Sequence, residues 1–99
     1  MYRQGDLLFI PVETDPQLRG RWKKVDSGIL ALGEATGHAH QLIGGDAYTG
    51  GWSGDMRIVA FEGARVEHPE HDTIVLPEGE YFVRRQRQWG DGGVRTVAD

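Results

Sequence analysis

The sequence predicts an all-β fold, a single small barrel or sandwich of about eight short strands over residues 1–99 with little or no helix. Three observations predict it. Fifteen glycines and four prolines interrupt the chain too often for a helical periodicity to develop. Between them lie short apolar or alternating runs bounded by Gly, Pro and Asp, the pattern of strands closed by turns. A length of 99 residues suits one domain and one modest core.

The elements follow in order. Residues 7–12, L-L-F-I-P-V, form the first strand, led in by Gln4-Gly5-Asp6. After the polar loop at Asp15-Pro16, residues 16–21 are the one segment suited to a helical turn. Residues 21–25 read as a short edge strand and 29–32 as a good strand, from which 33–37 turn or bulge into 38–43. The stretch 44–55, G-G-D-A-Y-T-G-G-W-S-G-D, holds five glycines in twelve residues and reads as a loose hairpin or loop. Residues 56–61 form the clearest buried strand. The pattern resumes at 65–68 after a turn at Glu62-Gly63, and at 73–76 before the turn Pro77-Glu78-Gly79. Residues 80–89 make the longest strand, and 94–97 close the pattern after Gly90-Asp91-Gly92-Gly93.

Composition narrows the function classes. A hydrophobic fraction of 38% with three each of Trp, Tyr and Phe supports a packed interior rather than disorder. With no cysteine, disulfides, thiolate metal sites and thiol nucleophiles drop out together. Ser27 and Ser53 are the only serines and both sit among turn residues, which argues against a serine hydrolase. The first apolar run is four residues long before Pro11, too short for a signal peptide or membrane span, so a cytoplasmic location without membrane contact is expected.

All four histidines fall in two tight pairs, His38 and His40 in G-E-A-T-G-H-A-H and His68 and His71 in V-E-H-P-E-H. In an extended strand, side chains two apart share a face, with α-carbons roughly 6.5–7 Å apart. His38 and His40 then project together, within reach of one ion at the usual zinc–nitrogen distance of about 2.0–2.1 Å. Pro69 has no amide proton and ends or bulges its strand, so a turn there brings His68 and His71 together. Glu34, Glu67 and Glu70 are candidates for auxiliary ligands or for acceptors of an imidazole N–H. The expectation is a mononuclear site of His38, His40, His68 and His71 for a divalent transition metal such as zinc, iron, nickel, copper or manganese. The competing reading is surface histidines, or polar residues bonded within a loop network.

An H-x-H on an early strand with a later histidine, in a small all-β chain, resembles the metal-binding core of the cupins. Gly33 or Gly37, His38 and His40 match the start of that family's first motif, and His68 or His71 stands where its later histidine falls. The glutamate that the motif places shortly after H-x-H is missing; the stretch here is Q-L-I-G-G-D. The resemblance implies a metal-binding β-barrel with a small-molecule ligand at the metal. The combination G-E-x-T-G-H-A-H, H-x-E-H and L-P-x-G-x-Y-x-V-x-R-Q-R is also similar to small uncharacterised proteins of bacterial and phage genomes, and no activity comes with that likeness.

A second constellation is Y-F-V-R-R-Q-R-Q-W, with Arg84, Arg85, Arg87 and Trp89. Arginine interleaved with aromatics is how single-stranded nucleic acid is often held. The net charge of −4 favours instead an edge strand kept soluble by its arginines. Tyr48 and Trp52 sit at the tip of the glycine-rich segment and could cover the metal or meet a partner. The alternative function is therefore a non-enzymatic binding or adaptor module of a bacterial or phage mobile element, with a protein partner or a second copy at these surfaces and nucleic acid disfavoured by charge.

Overall fold

In the computed structural model of the chain, the described residues are 1–32, 39–50, 55–85, 87–90 and 93–96, with backbone alone at 31–32, 87–90 and 93–96. Ten strands and one helical turn fill them: β1 Tyr2–Gln4, β2 Leu7–Val12, α1 Leu18–Arg21, β3 Lys23–Val25, β4 Ile29–Leu32, β5 Ala39–Gly50, β6 Asp55–Glu67, β7 Ile74–Val75, β8 Gly79–Arg85, β9 Arg87–Gly90 and β10 Gly93–Thr96. Eight of them form one antiparallel sheet in the order β1-β2-β8-β6-β5-β3, with β4 on β5 and β7 on β6; β9 and β10 pair separately. No helix among the described residues is long and apolar enough to cross a membrane.

The sheet is built around β5 and β6, which run side by side through two unlike ends. At one end Ala47–Thr49 of β5 pair with β3, and Met56–Ala60 of β6 pair with β8. At the other end β5 pairs with β4, and Arg65 and Val66 of β6 pair with β7. Between the ends β5 advances from Ile43 to Gly45 while β6 passes from Arg65 to Ala60, so β6 bulges and the sheet bends. Glycine makes that bend feasible. A Cβ on Gly45 would lie 2.4 Å from the Val59 carbonyl oxygen, and Gly44 has φ +83° against the Ala64 backbone.

Of the hairpin-or-loop reading of 44–55 the hairpin holds, with Gly50 paired to Asp55, but it is not loose, and the reading of Glu62-Gly63 as a turn between strands is overturned. Residues 44–50 are strand, and residues 61–64 are the bulge inside one 13-residue strand. Residues 80–89 likewise divide into β8, which pairs with β2 and β6, and β9, which pairs with β10.

Alternation sets the core. Leu7 and Phe9 of β2, Met56, Ile58 and Ala60 of β6, and Tyr81 and Val83 of β8 point to one side and are buried with Ala47, Leu42, Val66 and Leu76. Burial of each large apolar side chain contributes about 1.5–3 kcal/mol. The opposite face of the first end is covered by the segment between β2 and β3. Asp15 accepts from Gln17 N–H, an Asx turn that starts α1 and places Leu18 inside. Buried Glu80 anchors this cover, accepting from Asp15 N–H at 3.2 Å and from Arg57 at 2.7 Å.

The sheet curls until β1 reaches β7, but the edges do not zip. Near this approach the Gln4 amide of β1 donates to the Val66 carbonyl of β6 at 2.8 Å and to the Asp72 carbonyl just before β7 at 2.9 Å. No strand ladder connects β1 with β7, and a two-residue β7 offers little backbone for one. The all-β expectation holds, and of its barrel-or-sandwich form the barrel is corrected to an antiparallel sheet that is not closed.

Candidate functional site

The interior of the second end holds polar side chains beside the apolar Leu42, Ala64, Val66 and Leu76. His40 follows Ala39 at the start of β5 and is fully buried, on the face opposite outward Gln41. His68 lies one residue past β6. Pro69 cannot continue a ladder, the chain bends through residues 69–71, and Glu70 N–H turns back to donate to His68 Nδ1 at 3.0 Å. The bend carries His71 to the same place. Ring centroids are 4.4 Å apart for His40 and His68, 4.6 Å for His68 and His71, and 6.2 Å for His40 and His71. Three imidazoles from segments about thirty residues apart therefore form one cluster.

Two residues beyond the histidines complete it. The β1–β2 hairpin turns through Gly5 and Asp6, with Gly5 at φ +58° and no non-glycine at positive φ, the sign pattern of a II′ turn. Gln4 and Asp6 flank that glycine and both are buried, at 2% and 1% exposure. Gln4 accepts through Oε1 from His40 Nδ1 at 2.9 Å. Asp6 Oδ1 lies 3.5 Å from His40 Nε2, and Asp6 Oδ2 lies 3.3 Å from Arg85 of β8.

These contacts fix proton positions. Gln4 commits its amide nitrogen to two backbone carbonyls, so its oxygen faces His40 and Nδ1 of that ring must be the donor. A neutral His40 then keeps its lone pair on Nε2, the nitrogen turned toward Asp6; a cationic His40 would give that carboxylate an N–H. His68 is the reverse. Its Nδ1 accepts from backbone, so when neutral its proton is on Nε2. Among the described residues no set of three or more His, Asp or Glu side chains is placed, as it stands, to hold one ion.

The remaining candidates from the sequence divide as follows. His38, Glu34 and Trp52 lie outside the described residues. Glu67 faces outward, bonded to Arg65 at 2.9 Å, and Glu70 exposes its side chain while contributing its backbone N–H. On β8, Arg84 is exposed whereas Arg85 turns to Asp6, so the arginine run serves two faces. Arg87 and Trp89 belong to the β9–β10 pair, where the backbone alone is described. Tyr48 is not at a loop tip but buried in β5, with Arg19 donating to its hydroxyl at 3.3 Å.

Gln4 and Asp6 were not legible as site residues. Q-G-D reads as a hairpin turn, and nothing local reveals that both polar side chains face inward toward partners more than thirty residues away. The one signal is a turn that spends its two polar residues on either side of a glycine. Residues 3–86 match a family described as a domain of unknown function, DUF8820, and the chain belongs to that family. No curated protein and no solved structure matches it.

Proposed function

We propose that this member of the DUF8820 family binds a divalent transition metal through His40, His68 and His71. His38, two residues before His40, is included as a fourth donor on sequence spacing alone. The observation that carries the reading is the ring cluster. Three imidazoles on one tetrahedral ion, with bonds of about 2.0–2.1 Å, have centroids about 5 Å apart. The three separations here, 4.4 to 6.2 Å, bracket that value. Gln4 supports it further, since an N–H passed from a ligating histidine to a fixed acceptor sets the tautomer and the ring plane.

Since no three donors stand in place among the described residues, binding asks the rings of His40, His68 and His71 to converge on the ion, and at His68 it asks one further change. His68 must move its proton from Nε2 to Nδ1, or release Nδ1 from Glu70 N–H. Losing that one contact costs about 1–3 kcal/mol. Structural zinc sites release about 10–16 kcal/mol at neutral pH, so the metal term decides. An ion held by three histidines keeps an open position and polarises a bound water or carbonyl, whereas a fourth histidine closes the shell and makes the ion structural. Zinc, iron, nickel and manganese all suit imidazole with carboxylate nearby.

Elemental analysis of untagged protein, with His40→Ala and His68→Ala beside it, tests this. Near-stoichiometric metal that both variants lose is the expected result. No metal in the parent protein after reconstitution with zinc, iron(II), nickel and manganese would end the proposal.

A further inference from the structure

At the other end of β5, on the face away from the core, lies an open groove of about 360 Å³ lined by Arg19, Trp22, Lys24, Asp46 and Tyr48. It owes nothing to the histidines. The stretch R-G-R-W-K-K, residues 19–24, holds four of the eleven basic residues of a chain whose net charge is −4. That concentration builds a local positive field on an acidic molecule. Arg19 leaves α1 and Lys24 stands on edge strand β3 directly across from Tyr48. One acid answers them, Asp46, 3.5 Å from Lys24.

The aromatic wall is held in place. A Cβ on Gly50 would lie 2.4 Å from Trp22 Cε3, so the indole rests directly on the β5 backbone. Arg57 sits 5.8 Å from the indole centroid and is itself fixed by Glu80 at 2.7 Å and by the Glu13 carbonyl at 3.2 Å. Trp22 thus has less ordering entropy to lose when something stacks on it. The groove falls within the usual volume range of small-ligand sites, roughly 300–1,000 Å³. Two cations beside a fixed flat ring, with one carboxylate able to accept from an amine, suit a ligand with a phosphate at one end and a planar nitrogen-bearing ring at the other.

We propose that this groove binds a nucleotide, its phosphate on Arg19 and Lys24 and its base against Trp22. The ligand is either free or part of a single strand, since both present the same chemistry. Calorimetric titration of the full chain at low salt with ADP, inorganic phosphate and a twelve-residue oligothymidylate tests it, each in the presence of EDTA. ADP or the oligonucleotide is expected to bind, several-fold more tightly than phosphate and more weakly as salt rises. The tighter of the two identifies the source.

Lys24→Glu and Trp22→Ala should each weaken binding about tenfold, and Lys24→Arg should restore it. Lys24→Glu is the safe variant, because the side chain is 53% exposed and the fold does not rest on it. His40→Ala should bind as the parent does, which separates this site from the proposed metal. Absence of binding by both ADP and the oligonucleotide at millimolar concentration, phosphate binding as tight as ADP, or parent-like affinity in Lys24→Glu would each overturn the assignment.

Discussion

The two ends of the β5–β6 pair carry polar residues in opposite ways. At the histidine end Gln4, Asp6, His40 and His68 are buried and His71 is half-buried. Gln4 uses both amide groups on three partners, and Asp6 lies between His40 and Arg85. At the groove end Arg19 and Lys24 stand in solvent, with loose partners in Tyr48 and Asp46. Burial makes a polar group expensive unless it is bonded, and so turns it into a structural element; exposure leaves it available. One end is therefore organised before any ligand arrives. The other combines a packed ring with exposed charge.

Substitutions can break this contrast. Gln4→Leu should have the largest effect, a loss of about 3 kcal/mol or more by urea denaturation. It leaves two backbone carbonyls and His40 Nδ1 without their partner, and each such group costs about 1–3 kcal/mol. A loss under about 1 kcal/mol would mean that water enters and the histidine end is not sealed. Gly50→Ala should come next, at about 1–3 kcal/mol, because the new methyl displaces Trp22. Its sharper readout is the groove, where nucleotide affinity should fall with the histidine end untouched. Lys24→Ala should be smallest, within about 0.5 kcal/mol, as for most exposed ion pairs. A larger change would show that the basic edge supports the fold after all.

Local pattern carried much of the architecture. β2 and β4 fall on the residues that their apolar runs mark, and the helical turn lies within the segment that Asp15-Pro16 introduces. The middle of the chain misleads for a definite reason. Glycine marks a turn when it supplies unusual dihedrals, but it also marks a place where something must come close. Gly45 meets a neighbouring strand's carbonyl and Gly50 meets Trp22, and a one-dimensional reading cannot separate the two uses. The histidine pairs were visible because their spacing is local. Gln4, Asp6 and Arg85 were not, because what makes them part of the site is a register set by β2 lying against β8.

That register has a consequence for how the molecule is made. Gln4 bonds to carbonyls 62 and 68 residues along the chain, and β2 finds its ladder on β8, Gly79–Arg85. The first hairpin leaves the ribosome with two inward-facing polar side chains and no neighbour for its open edge, and two strands alone are marginal in water. It has no ladder partner until β8 has been synthesised. Its docking therefore comes after β8 has been made, and residues of the first hairpin close over strands that follow them in the chain.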